Sequence, residues 1–272
     1  MVDDTEPTGE GGSFELALIG GGNMGSALLR GVLDAGAARP ADLAIVEVLP
    51  ARRVELGEMF TGVAVHDSVP PCRAAVLAVK PGGVATAASA AAQAGATRLL
   101  SIAAGVRTDT IEAAVGQPLA VVRAMPNTPA LVGAGTSAIS GGSHAGDDDL
   151  AWAETILGAV GTVDRLPESL LDAFTGVAGS GPAYLFLVAE ALVDASIAEG
   201  LPPEVAERAV TQLLVGSAAL LAKEGDPAEL RAKVTSPGGT TAAGLAVLEE
   251  REVRAALGAA VAAATVRSRE LS

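Results

Sequence analysis

Several groups of residues in this chain could do chemistry by their type and spacing. The first is Gly20-x-Gly22-x-x-Gly25, preceded by the apolar run Phe14 to Ile19 and followed by a helical pattern carrying Ala27, Leu28, Val32 and Leu33. Gly20 allows a tight turn, Gly22 lets the backbone approach a pyrophosphate, and Gly25 lets the helix pack close to the strand. Phosphates would then face unpaired N–H groups at the positive end of a helix. A bare glycine turn is the alternative, but a strand before and a helix after favour dinucleotide binding.

The second group follows a further strand, Leu43 to Val48. Glu47 is placed to accept hydrogen bonds from an adenosine ribose, as NAD sites require. Arg52 and Arg53 lie just beyond and could instead hold a 2′-phosphate, as NADP sites require. Both cofactors stay open. The third group is Lys80-Pro81-Gly82, after the apolar strand Ala74 to Val79, at the sheet edge where open α/β folds bind ligands. A strand from Leu99 to Ala104 ends in small residues that would leave room for a flat nicotinamide ring. Met125-Pro-Asn127-Thr128-Pro129 forms a stiff loop able to hold an amide and a hydroxyl in place. The last group is Thr235-Ser-Pro-Gly-Gly-Thr-Thr241, hydroxyl-rich and just ahead of a helix, where a small carboxylate would bind. In isolation, such a turn reads more simply as an N-capped helix start.

The elements that must position these groups fall into two textures. Up to about residue 165, strands alternate with helices, including Leu119 to Ala124 and Thr136 to Ser140, which describes a doubly wound parallel sheet. Beyond it, long Ala/Leu/Val helices take over. One starts near Pro182, one runs from Pro203 to about Glu224, and Asp226-Pro-Ala-Glu229 marks the N-cap of another. The expected division is an acidic disordered tail at 1–13, a dinucleotide-binding domain at 14–165 and a helical domain at 166–272.

Composition narrows the function. A net charge of −14 argues against nucleic acid and anionic membrane partners. No apolar stretch is expected to reach the roughly 20 residues of a membrane span, Lys80 interrupting the best candidate, and no leader for export is evident. The single cysteine, Cys72, fits a reducing compartment, so a cytoplasmic location is expected. His66 and His144 form no ligand spacing, and no metal site is expected.

Phe174-Thr-Gly-Val-Ala-Gly-Ser-Gly-Pro-Ala-Tyr184, with Thr235 to Thr241, resembles the signature region of pyrroline-5-carboxylate reductases. The Gly20–Gly25 loop, Ala78-Val-Lys-Pro81, Ala103-Ala-Gly105 and Met125-Pro-Asn-Thr-Pro129 share the resemblance, which spans about residues 14 to 270 in register. It implies an N-terminal Rossmann domain, a C-terminal helical domain that dimerises and often builds larger rings, and the last step of proline biosynthesis using NADPH or NADH. It places the cofactor on Ile19, Gly20, Gly21, Gly22, Asn23, Met24, Gly25, Ala78, Val79, Lys80, Pro81, Ala103 and Ala104, with Asn127 nearby. The substrate-binding acid falls on Glu168, and the substrate loop on Ser236, Gly239, Thr240 and Thr241. The chain departs from the pattern at Val48, where many relatives carry Arg or Ser toward the 2′-phosphate. It also has His66, Asp67 and Ser68 where an asparagine is expected.

The implied chemistry needs neither metal nor covalent nucleophile. A cyclic imine accepts hydride at its C=N carbon, and the protein aligns donor and acceptor. Thr241 is the candidate catalytic residue, its hydroxyl bonding the ring nitrogen, and Glu168 would favour the cationic iminium. Two rivals remain at this point. A hydroxyacid dehydrogenase would place a catalytic lysine in the helical domain, where only Lys223 and Lys233 occur, outside a comparable motif. A non-catalytic dinucleotide sensor would have no use for the Ser236–Thr241 turn.

Overall fold

The structure, a computed structural model, describes residues 12–271, and all but the last two residues of the expected tail lie outside that range. The first half alternates as β1 (Leu16–Ile19), α1 (Asn23–Asp34), β2 (Leu43–Val46), α2 (Pro50–Met59), β3 (Ala64–His66), β4 (Ala74–Leu77), α3 (Val84–Gln93), β5 (Arg98–Ser101), α4 (Thr108–Val115), β6 (Ala120–Met125), β7 (Gly135–Gly141), α5 (Asp147–Gly158) and β8 (Gly161–Arg165). The strands form one sheet in the order β3-β2-β1-β4-β5-β6-β7-β8. Strands β1 to β6 are mutually parallel, β1 lying between β2 and β4. The order therefore reverses beside β1, and the carboxyl ends open a crevice there.

Apolar runs without alternation suit strands covered on both faces. Along β1, Leu16 and Leu18 join one core with Leu28, Leu56 and Leu157, while Ala17 and Ile19 join the other with Ala88, Leu99 and Ile111. Alanines do much of the packing: Ala87, Ala88, Ala91 and Ala92 of α3 are all buried, letting that helix sit close to the sheet.

Three features depart from the sequence reading. The three-residue β3 and the edge strand β8 were not anticipated, being respectively very short and largely polar. The sheet is also not wholly parallel, because β7 runs antiparallel to β6, and β8 follows β7. Finally, the compact units divide at 179/180 rather than at 165/166, and residues 264–272 return to the first unit. A segment from 168 to 179, including α6 (Leu171–Phe174) and a π-turn over Thr175–Gly179, thus belongs with the sheet. The returning segment is fastened where the Ser268 hydroxyl donates to Asp172 Oδ1 at 2.7 Å. A side chain on Gly105 would stand 2.8 Å from the Leu271 carbonyl oxygen.

The second unit, residues 180–263, is helical: α7 (Gly181–Ala198), α8 (Pro203–Glu224), α9 (Pro227–Lys233), α10 (Thr240–Glu250) and the first part of α11 (Val253–Glu270). Proline opens α8 and α9 at their first positions. As expected, Asp226 caps α9, its Oδ1 accepting from the Ala228 and Glu229 N–H groups at 2.8 and 3.1 Å. The Tyr184 hydroxyl of α7 donates to the Ala260 carbonyl of α11 at 3.4 Å. Two helical stretches, Glu168–Ala198 and Pro203–Glu224, are long and apolar enough to cross a membrane by length and composition, with mean hydropathies of 1.4 and 1.3. This corrects the expectation that no stretch is long and apolar enough, because scattered polar residues leave the helix average apolar.

Candidate active site

At the carboxyl ends of β1, β2, β4, β5 and β6 lies a cleft of about 760 Å³. It is bounded by the 19–25 loop, residues 46–49 after β2, 78–81 after β4, 102–104 after β5, and Met125 with Pro126. Each glycine of the motif has its own mechanical role here. Gly20 has φ +110°, and a Cβ there would sit 2.5 Å from the Ala78 carbonyl oxygen. A Cβ on Gly25 would collide with the Gly20 carbonyl oxygen. A Cβ on Gly22 would meet nothing within 4 Å, so this backbone is bare toward the cleft it lines. Gly22 is the N-cap of α1, which has no side-chain cap and no acid in its first turn. Its N–H groups and positive end are left for an anion. That is the cradle a dinucleotide pyrophosphate fits.

Beside the loop, Glu47 accepts from the Gly21 N–H through Oε2 at 3.2 Å and from the Leu49 N–H through Oε1 at 3.0 Å. Arg52 turns to the outside of the same loop, its Nε donating to the Gly21 carbonyl at 2.9 Å and a terminal nitrogen to the Ser26 hydroxyl at 3.2 Å. Arg53 donates to the Glu47 and Val48 carbonyls at 2.9 and 3.0 Å. Neither arginine lines the cleft, whereas Glu47 and Val48 do. Lys80 and Pro81 stand exposed at its rim. Ala103 is buried beneath it and Ala104 exposed.

Two expected site residues have other work. Asn127 does not line the cleft. Its Oδ1 accepts from the Thr136 N–H at 2.9 Å and its Nδ2 donates to the Ala178 carbonyl at 3.1 Å, so the amide staples the loop to β7 and to the π-turn. The loop's contribution to the cleft comes instead from Met125 and Pro126, apolar residues that a search for polar groups passes over. Glu168, expected to face the substrate, is likewise engaged on both oxygens. It accepts from the Thr108 N–H and hydroxyl, each at 2.9 Å, and from Arg123 at 3.1 Å.

Arg123 was not anticipated as a partner, although an arginine inside the apolar strand Leu119–Ala124 demands one once buried. It is 3% exposed on β6, with Asp172 its second carboxylate at 3.9 Å. Burial pushes the Glu168 pKa up, but the two Thr108 hydrogen bonds and the Arg123 guanidinium outweigh it and hold the carboxyl below its ordinary value. Glu168 therefore anchors the start of α4, just after the 102–104 stretch that lines the cleft.

In the second unit, the 235–241 turn closes with the Gly239 N–H donating to the Ser236 carbonyl at 3.0 Å. A Cβ on Gly239 would strike the Ser236 hydroxyl. Gly239, not Thr240 or Thr241, is the N-cap of α10, and it brings no side-chain cap. Thr240 and Thr241 are the first two helical residues and both are exposed. The simple capping reading of Thr241 therefore does not hold. The N–H groups at this helix start have no acid in the first turn beside them. Thr235 is withdrawn from the set, since its hydroxyl donates to the Arg231 carbonyl at 2.6 Å. Among the described residues no group of three or more metal-ligating side chains occurs.

Comparison with known proteins meets this geometry. A family model described as pyrroline-5-carboxylate reductase dimerisation matches residues 168–271, and one described as NADP oxidoreductase coenzyme F420-dependent matches residues 15–105. The chain is 42% identical to a pyrroline-5-carboxylate reductase of Synechocystis over 95% of its own length and 98% of the relative's. It superposes on a pyrroline-5-carboxylate reductase structure from Coxiella burnetii with a TM-score of 0.88 at 32% identity, covering 96% of this chain and 99% of that one. For the Plasmodium falciparum pyrroline carboxylate reductase with NADP bound, the TM-score is 0.82 at 29% identity, with the same coverage. The chain belongs to the pyrroline-5-carboxylate reductase family.

Proposed function

We infer that this chain reduces 1-pyrroline-5-carboxylate to L-proline with NADH or NADPH, the last step of proline biosynthesis. The observation that carries the reading is the bare Gly22 backbone and uncapped α1 start, open to a cleft at the switch point of the sheet. A nicotinamide dinucleotide, when bound, supplies the hydride. Residues 22–25, at the start of α1, would hold its diphosphate through backbone N–H groups, and Ala78 to Pro81 with Ala103 and Ala104 would flank the rest.

The chain's own part is positioning. The N–H groups at the start of α10 hold the substrate carboxylate, in a turn shaped by Ser236, Gly239 and Thr240. The Thr241 hydroxyl bonds the ring nitrogen, which takes the electron pair of the C=N bond and ends as a secondary amine. Because the imine is basic enough to arrive protonated, alignment contributes more than proton transfer. The helices of the dimerisation region join two copies of the chain, and a ring of dimers is the larger assembly implied by the family resemblance. A single buried thiol, Cys72, suits a reducing cytoplasm.

The test is oxidation of NADH and of NADPH by purified protein, with and without pyrroline-5-carboxylate. Imine-dependent oxidation is expected. Dinucleotide binding with no imine-dependent oxidation would refute the activity while leaving the cleft's role intact.

A further inference from the structure

We propose that Glu47 makes this chain select NADH over NADPH, its carboxylate excluding a phosphate from the adenosine 2′ position. The inference rests on the dinucleotide reading of the cleft. Glu47 follows β2 directly, and its N–H donates to the His66 carbonyl of β3 at 3.0 Å, which pins its main chain. Its side chain is pinned as well, by the Gly21 and Leu49 N–H groups, one on each oxygen. A carboxylate has about four acceptor sites, so roughly two remain for the ribose hydroxyls, which are donors. A 2′-phosphate offers acceptors and negative charge instead, and the repulsion is stronger in a partly dry cleft than in bulk water.

The two arginines that would compensate a phosphate beside Glu47 are committed elsewhere. Arg52 is spread over the Gly21 carbonyl, the Ser26 hydroxyl and Glu55, and it faces a different cleft from the one Glu47 lines. Arg53 holds the Glu47 and Val48 carbonyls. Val48 is 74% exposed at the cleft and has no polar atom in its side chain. An acid fixed at the strand end with both neighbouring arginines engaged, and the cleft's exposed Lys80 two strands away after β4, is the arrangement that recognises a ribose diol.

Binding, measured by calorimetry on the full chain without imine, separates this inference from the catalytic one. NADH should bind at least about 10-fold tighter than NADPH, and 5′-AMP tighter than adenosine 2′,5′-bisphosphate. Glu47→Gln keeps the shape, removes the charge, and should narrow the NADH/NADPH ratio about 10-fold or more, chiefly by tightening NADPH. Arg52→Ala and Arg53→Ala should change both affinities together. Equal or tighter NADPH binding by the unaltered chain overturns the proposal. So does an unchanged ratio in Glu47→Gln, or selective loss of NADPH in either arginine variant. Failure of both dinucleotides to bind would remove the reading of the cleft itself, and this inference with it.

Discussion

In the first compact unit, β1, β2 and β4 are buried along their whole length, and among the described residues the buried charge is Arg123, compensated by Glu168 and Asp172. In the second, α7 and α10 have no buried residue at all, and α8 has only Ala206 and Val210. Leu185, Phe186 and Leu187 of α7 are each at least 60% exposed. Both units are rich in Ala, Val and Leu, so composition is not the difference. A sheet covered by helices on both faces encloses its own core. A bare set of helices, apolar around most of their circumference, does not. Burying each such Leu or Phe side chain is worth about 1.5–3 kcal/mol, and a two-fold partner covers the same patch on both copies. The contrast teaches that the cofactor-binding unit is finished within one chain, whereas the helical unit is completed by another.

The sharpest way to break this comparison is a charge on the helical face. Phe186→Glu should raise the dimer dissociation constant by about 1,000-fold or more, near 4 kcal/mol, as read by analytical ultracentrifugation. A dimer that persists at unchanged affinity would mean that another surface joins the copies. Within the first unit, Glu168→Gln leaves Arg123 buried with only the more distant Asp172. It should cost about 3 kcal/mol of stability, measured by denaturant unfolding.

The same carboxyl gives the comparison a pH dependence. Its folded pKa is depressed, so its stabilisation is fully present above the unfolded value and is lost as pH falls through the folded one. Acid unfolding should therefore be shallower in Glu168→Gln than in the unaltered chain. Next in size, Gly22→Val should weaken dinucleotide binding by roughly 100-fold, about 2.7 kcal/mol, with stability falling by no more than the roughly 1 kcal/mol of a poorer N-cap, since its Cβ meets open space. A stability loss well beyond that of a poorer cap would show that Gly22 serves chiefly the fold. The smallest effect concerns the second unit's turn. Thr241→Ala should lower kcat/KM by about 10- to 100-fold and Thr241→Ser much less. Normal kinetics in Thr241→Ala would remove the hydroxyl from the mechanism.

The sequence made some of this legible. The glycine spacing, the apolar strands and the Asp226-Pro start of α9 are local signals, and the structure carries them out where they were expected. Strand direction is not local, since the same apolar run serves either way, and the reversed β7 and β8 followed from no pattern. The packing of residues 168–179 with the sheet was not legible for a related reason. Residues 168–179 have the composition of the helices after them, but Glu168 and Asp172 answer a buried arginine some 45 residues earlier. The cleft was readable as a place, less so as a set of contacts. Asn127 and Glu168 have polar groups that suit a ligand, and only the fold reveals backbone and side-chain partners already using them.

The return of residues 264–272 to the first unit has a consequence for how the protein is made. A chain emerging N-terminus first presents the whole sheet, then all of residues 180–263, before Ser268 and Leu271 exist. The sheet can begin to fold as it leaves the ribosome, yet Asp172 must wait for its hydroxyl partner until residues 180–263 have all been made. A product cut short after residue 263 would thus be incomplete in the unit made first, and its defect would lie next to Arg123 and Gly105, not at its own end.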